Sequence, residues 1–411
     1  MLKILYQICC GIDVHKTFVV AFIASTDKKG FTNYQSKRFS TYTKNLRELG
    51  KWLEENNCKD VCMESTGKYW HPVYNILETS CNVVLAHPKY LKAIRGKKTD
   101  KKDAQWIADV FKHDLVSGSF IPPAKIRELR DLMRYRFKLT NYTSGEKNRA
   151  QNCLTTSNIQ LDHAFSDVFG KSATSILNQI LYHPDQPDFD VTQFVDRHCK
   201  TPIQEIQLSI DGNISYEQAE KIKIIRSHMD NLATNKLKLE SVILTLVEPF
   251  LPQINLVSTV PGIREFSAIA VIAEIGTDMS VFPTAKHLCS WAGVAPQCNE
   301  SGGKKKSSRV SRAGAYIKPL LVQCANAAVK SKKHPEIAKR YSSIKKRRGH
   351  KKAIIAIARM LLTVIYNILK KNEPYNPELY RKADTLSVYR EQQAILLLQM
   401  RGYSISKVIP A

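Results

Sequence analysis

The stretch Ile8-Cys9-Cys10-Gly11-Ile12-Asp13-Val14-His15-Lys16 constrains the fold of this chain more than any other. An apolar run carries one acid, and a second apolar run, Thr17 to Ala24, follows at once. Adjoining apolar runs of this length predict neighbouring strands, the first of them buried. A carboxylate emerging from a buried strand is costly unless it meets a cation, a proton or a metal. Asp13 is therefore the first candidate functional residue.

The segments that follow alternate in type. Ile4 to Val14 and Thr17 to Ala24 read as adjacent strands, and Phe31 to Phe39 as a third. Thr43 to Asn56 has helical spacing through Leu46, Leu49, Trp52 and Leu53, with Thr43 as its cap. Asp60 to Glu64 is a short strand ending in an acid, Tyr69 to Leu77 a helix, Asn82 to Ala86 a buried strand, and Thr99 to Leu115 a helix. This alternation predicts a layered α/β domain over residues 1–120.

The acids fall at telling places. Asp13 and Glu64 sit at strand ends, and Asp100 and Asp103 lie three residues apart on one helix, so they share a face. Four carboxylates converging on a sheet edge need cations. Two magnesium ions about 3.5–4 Å apart would neutralise them and activate a nucleophile at a phosphodiester. The bland alternative for Asp100 and Asp103, embedded in Lys97-Lys98-Thr99-Asp100-Lys101-Lys102-Asp103, is a solvated charged helix start.

Lys and Arg number 62 against 37 Asp and Glu, a formal charge of +25. Such an excess predicts a polyanionic partner, nucleic acid before membrane. No amphipathic basic anchor is evident, and the run Ala353 to Leu369, broken by Arg359, reads as a core helix. The ten Cys include no pair of C-x-x-C knuckles, which argues against structural zinc. No signal peptide is visible, so free thiols in a reducing bacterial or archaeal cytosol are expected.

Residues 124–250 read as helical. Ala124 to Gln151 is basic, and Ile222, Ile225, Met229, Leu232, Lys236, Leu239, Ile243 and Leu246 form a heptad seam with one polar break. The seam predicts a coiled-coil pairing, antiparallel within the chain or between copies, with homo-oligomeric assembly as one outcome. The alternative is an amphipathic helix lying on a domain. Residues 254–372 read as a third, mainly helical domain, and 373–411 as a tail of unknown role. Val260-Pro261-Gly262-Ile263 resembles a helix-hairpin-helix turn, whose amides can meet phosphate, although Arg264 stands where a second Gly is usual.

From Ser301 to Lys352 there are 17 Lys and Arg against one acid, Glu336. That density, including Lys304, Lys305, Lys306, Arg309 and Arg312, suits a phosphate backbone. Ser301-Gly302-Gly303 offers a hydroxyl in a sterically open turn beside cations, a setting suited to phosphoryl transfer. On the residues alone Ser307, Ser308 and Ser311 are rivals, and such a loop can be only a loop. There is no P-loop motif, which fits ATP-independent chemistry.

Three motifs, Gly11-Ile12-Asp13-Val14-His15-Lys16, Met63-Glu64-Ser65-Thr66-Gly67 and Lys98-Thr99-Asp100-Lys101-Lys102-Asp103-Ala104, resemble the DEDD set of the IS110 family of insertion-sequence transposases and Piv-type invertases. A fourth resemblance lies in Gly293-Val294-Ala295-Pro296, Ser301-Gly302-Gly303 and Arg309-Val310-Ser311-Arg312-Ala313-Gly314. It is to the C-terminal transposase domain of that family. The resemblance implies an RNase H-like (RuvC-like) N-terminal domain and magnesium held by Asp13, Glu64, Asp100 and Asp103. It also implies Ser301 as the nucleophile that joins DNA, and a bridge RNA pairing with target and donor. The function expected is a DNA transposase or recombinase. A hydrolytic RuvC-like endonuclease is the second reading, and a non-catalytic nucleic-acid binder the third.

Overall fold

The computed structural model describes residues 3–88, 91, 99–183, 189–297, 299–302, 304–307, 309–379 and 385–404. The chain divides into two units, Met1–Ala124 and Lys125–Ala411.

The first unit starts with three antiparallel strands, β1 (Ile8–Val14), β2 (Phe18–Thr26) and β3 (Thr32–Ser40). Then come α1 (Thr43–Glu55), β4 (Asp60–Glu64), α2 (Trp70–Leu77), β5 (Asn82–Ala86) and α3 (Asp100–Lys112). The strands form one sheet in the order β3-β2-β1-β4-β5, with β4 parallel to both β1 and β5. Parallel strands require covered faces. Alternation along β1 supplies both: Cys10, Ile12 and Val14 pack with Leu46, Leu49 and Leu53 of α1 and Val73 and Leu77 of α2. Cys9 faces the other way, with Ile107, Ala108 and Phe111 of α3.

Two expectations need correction here. Strand β1 begins at Ile8 rather than Ile4, because the backbone N–H groups of Leu5 and Tyr6 donate to the Lys112 carbonyl at the end of α3 (2.9 and 3.3 Å). Thr43 does not cap α1: Tyr42 holds the cap position and makes no side-chain capping bond. In contrast, the Thr99 hydroxyl accepts from Lys102 N at 3.3 Å and caps α3.

The second unit opens with α4 (Ala124–Thr156), then α5 (Leu161–Ala164), α6 (Lys171–Tyr182), α7 (Ile203–Ser209) and α8 (Tyr216–Leu246). Helices α4 and α8 pair antiparallel within the chain. Arg136 meets Glu240 (2.7 Å) near one end, Glu146 accepts from His228 (3.1 Å) further along, and Ala150, Cys153 and Leu154 share a core with Ile222 and Ile225. That core extends through Ile159, Leu161, Ile176, Leu177, Val191 and Ile206, so residues 150–225 build a small hydrophobic lobe.

The chain continues through α9 (Leu251–Ser258), α10 (Glu265–Ile275), α11 (Ala285–Trp291), β6 (Asn299–Ser301), β7 (Lys304–Ser307), α12 (Ile317–Val329), α13 (Pro335–Arg348), α14 (His350–Lys371) and α15 (Thr385–Met400). Helix α14 packs against α9, α11, α12 and α13. It is 22 residues long, apolar enough to cross a bilayer, and 56% of its most apolar window is buried. Length alone would pass it as a span; Ile357, Ala358, Leu361, Leu362 and Ile365 are instead buried against its neighbours.

Helix α4 is tied to α10 by charge. Arg130 donates to the Ala273 and Glu274 carbonyls (2.9 and 2.6 Å), closing the last turn of α10, and Arg134 makes a two-pronged pair with the buried Glu274 carboxylate (2.7 and 2.9 Å). The Pro261–Gly262 turn packs on α12: a side chain at 262 would meet the Cys324 carbonyl at 2.4 Å. This close packing accounts for the glycine without any phosphate contact.

Candidate active site

Strand β1 delivers Asp13 at its last buried turn, and the chain reverses at once. His15 N donates to the Phe18 carbonyl at 2.9 Å, so only His15, Lys16 and Thr17 connect β1 to β2. Asp13 and His15, two residues apart on extended backbone, face the same side.

Helix α3 lies on that side. A Cβ at Gly11 would stand 2.3 Å from the Ala104 carbonyl oxygen and 2.3 Å from Ala108 N, so α3 rests directly on the β1 backbone. Asp100 lies one helical turn before Ala104 and is carried toward the end of β1. His15 Nε2 lies 3.1 Å from Asp13 Oδ2 and 3.5 Å from Asp100 Oδ1. Ligand atoms of Asp13, His15 and Asp100 all lie within 4.8 Å of one another. Asp13 is buried, His15 half-buried and Asp100 exposed.

Burial pushes the Asp13 carboxyl above its ordinary range; His15 opposes this, while the negative charges of Asp103 and Asp100 add to it. Asp103 thus acts on Asp13 through its field, and its backbone N donates to the Thr99 carbonyl at 2.9 Å. Glu64 ends β4, one residue beyond the Ile12–Met63 register pair, and is half-buried opposite Ala86 of β5. Asp13, Asp100 and His15 therefore come together, Asp103 bears on Asp13 through its charge, and Glu64 ends the strand next to β1 in the sheet. His15 was not among the expected site residues, although its position two residues after Asp13 on a strand was the available signal. A buried carboxylate under like-charge pressure, with oxygen and nitrogen donors around it, is a donor set that fits a divalent cation.

Ser301 is the last residue of β6 and pairs with Lys304, the first of β7. Gly302 has φ +57 with no atom within 4 Å of a Cβ built there, as a two-residue hairpin turn requires. The side chains of Ser301, Lys304, Lys305 and Lys306 lie outside the described residues, as does Ser308 altogether. The hairpin joins a further bridge between Pro296 and Val310, and Gln297 N donates to the Arg309 carbonyl at 3.3 Å. Arg309 and Arg312 are exposed. Lys318 Nζ donates to the Ser311 carbonyl at 2.5 Å, and burial lowers its pKa from the ordinary lysine value. Among the rivals, Ser307 Oγ accepts from Arg309 N (3.2 Å) and Ser311 Oγ from Ala313 N (3.3 Å), so both serve the local turn.

A second basic feature lies further on. Lys345, Lys346, Arg347 and Arg348 form the last turn of α13, Lys351 and Lys352 the first of α14, and all six are exposed.

Residues 10–159 match a transposase family model of the DEDD type named for IS110, and residues 254–342 match the model of the IS116/IS110/IS902 transposase family. The pilin gene-inverting protein of Moraxella bovis is 24% identical over 387 residues, which is 90% of this chain and 98% of that protein. Its counterpart in Moraxella lacunata is 30% identical over 135 residues, 31% of this chain and 42% of that protein. The transposase of insertion sequence element IS1111A from Coxiella burnetii is 27% identical over 122 residues, 29% of this chain and 33% of that protein. The two models match in order, one over the sheet and helix that carry Asp13, Glu64, Asp100 and Asp103 and the other over the helices and hairpin around Ser301, and the chain belongs to the IS110 family of transposases.

Proposed function

We propose that this transposase cuts and rejoins the DNA of a mobile element through a phosphoserine intermediate at Ser301. The observation that carries the reading is the approach of α3 to Gly11, which brings Asp100 beside Asp13 at the end of β1. The sheet order β3-β2-β1-β4-β5, with acids at the ends of β1 and β4, supports an RNase H-like description of the first unit. Asp13, Glu64, Asp100 and Asp103 would hold two divalent ions, magnesium in the simplest case. When bound, these supply charge neutralisation at the phosphate oxygens.

The Ser301 hydroxyl attacks the scissile phosphorus, a new Oγ–P bond forms, and one backbone P–O bond breaks. The departing DNA oxygen takes up the proton lost by the serine. The ester conserves the bond energy, so a DNA hydroxyl can later attack the same phosphorus, release Ser301 and restore a phosphodiester without ATP. Lys304, Lys305, Lys306, Arg309 and Arg312 hold the phosphate backbone. Asp13 and Ser301 belong to different units. Their joint action needs a composite site, within one chain or between copies of a homo-oligomer assembled through the α4–α8 region. We read residues 1–120, 124–250 and 254–372 as catalytic, assembly and serine parts, acting in a prokaryotic cytosol. Part of the +25 charge serves a guide RNA of the bridge type.

The test is covalent trapping. Element-end DNA is incubated with the chain, its guide RNA and a divalent metal, then denatured. Protein-linked DNA that disappears in Ser301→Ala is the expected result. Metal-dependent nicking with no adduct would identify a hydrolytic endonuclease instead. Nucleic-acid binding with neither nicking nor adduct, and no effect of Asp13→Asn, would leave only a nucleic-acid binder.

A further inference from the structure

We propose that His15 is itself a metal ligand, and that the centre it completes prefers a first-row transition dication such as Mn2+ to Mg2+. The proposal rests on the reading of Asp13 and Asp100 as metal ligands and adds a nitrogen donor to an all-carboxylate set.

The imidazole is held in place. The His15–Phe18 reversal fixes its backbone, its ring lies 4.5 Å from that of Phe18, and the Arg38 guanidinium stands 3.6 Å from the Phe18 ring centroid. The ring is thus one end of a stack with Phe18 of β2 and Arg38 of β3 rather than a loose loop side chain.

The donor spacing suits an ion. Ligands at about 2.0–2.2 Å from a four- to six-coordinate metal stand about 3.0–3.5 Å from one another when adjacent. His15 Nε2 lies 3.1 Å from one Asp13 oxygen and 3.5 Å from one Asp100 oxygen. A cation can therefore sit between His15 and the two carboxylates with little rearrangement of the side chains. The family match over residues 10–159 independently points to divalent-metal chemistry at this end of the sheet.

Nitrogen ligation decides the preference. Mg2+ is a hard ion that keeps oxygen ligands and gives up water reluctantly. Imidazole adds more to the binding of a transition dication, so His15 biases the site away from Mg2+.

The experiment uses the full chain without an affinity tag, titrated with Mn2+ and followed by electron paramagnetic resonance. Pulsed measurements then read nitrogen coupling to the bound ion. The expected result is a bound Mn2+ with 14N coupling that changes when histidine is labelled with 15N. In His15→Gln the ion stays bound, the coupling is lost, and the ratio of Mn2+ to Mg2+ affinity falls about tenfold. If His15→Gln misfolds, the 15N-labelled wild-type chain still shows whether a histidine binds the ion, and His15→Asn assigns it. Bound Mn2+ that Asp13→Asn abolishes, but with no nitrogen coupling in the wild type, would overturn the role of His15 and leave the carboxylate centre standing. Absence of any Mn2+ site sensitive to Asp13→Asn would remove the metal centre and the proposal together.

Discussion

Gly11 of β1 lies under Ala108 of α3 so closely that a Cβ would stand 2.3 Å from the Ala108 nitrogen. The obstacle is helix backbone, which cannot swing aside as a side chain could. Gly11→Ala should push α3 off the sheet and destabilise the first unit by about 1–3 kcal/mol, the range for overpacking a well-filled site. Because α3 carries Asp100, the same substitution should weaken divalent binding even below the melting transition. Urea unfolding and metal titration of one sample measure both effects.

The Asp13 carboxyl is held above its ordinary range by burial and by Asp103 and Asp100. A carboxyl whose folded pKa exceeds its unfolded value favours the native state only while protonated, and that contribution is lost as pH rises through the raised pKa. Without metal, Asp13→Asn should therefore raise the melting temperature at neutral pH. The gain should fade below about pH 4, where the unfolded-state acid is also protonated. Thermal melts in chelator across this window check the sign.

Glu274 is buried beneath Arg134 and beside Arg130. Arg134→Met would remove the two-pronged partner and leave the carboxylate facing Arg130 alone. A loss of about 3 kcal/mol is expected, the scale for breaking a buried ion pair from one side. The double variant with Glu274→Leu should recover much of it. Arg134 also stands 4.4 Å from the ring centroid of Tyr316, so some loss should persist in the double variant. A double-mutant cycle by chemical denaturation separates these parts.

Burial pushes the Cys9 and Cys62 thiols up to about 12. At pH 8 only about one in ten thousand of such groups is thiolate. Native chain treated with a thiol reagent should leave both unmodified, and denatured chain should label both. Mass spectrometry of the peptides shows which thiols reacted.

Nucleic-acid binding should weaken steeply with salt. Replacing Lys345, Lys346, Arg347 and Arg348 by Ala should lower the slope of log affinity against log salt by about one for each phosphate no longer neutralised. The melting temperature should stay unchanged, since all four side chains are exposed. Fluorescence anisotropy at several salt concentrations measures the slope.

Short apolar strands were legible from sequence: β4 and β5 have the bounds that their runs predict, because apolar residues bounded by turns have few other options. The start of β1 was not, since Ile4-Leu5-Tyr6 continues the apolar run while Leu5 is exposed. Helix α4 runs on to Thr156, past the basic stretch that ends at Gln151. Arg136 and Glu146 face their partners on α8 through polar side chains, and hydrophobic periodicity cannot register a seam of that kind. The lobe of residues 150–225 was hidden because its core joins residues far apart in sequence. At the candidate site the acids could be found by type and position, but His15 gained meaning only when the β1–β2 reversal set its ring beside Asp13.

The antiparallel α4–α8 pair has a mechanical consequence. Helix α4 has 33 residues and so spans about 50 Å, with the 150–225 lobe at one end and the α10 clamp toward the other. Two helices bound side by side resist bending far better than one, so the lobe is kept at a set remove from α10, as by a measuring rod. Excising matched seven-residue blocks from both helices would shorten the rod by about 10 Å while keeping its faces nearly in phase. Excising four from one helix alone would throw the two out of step.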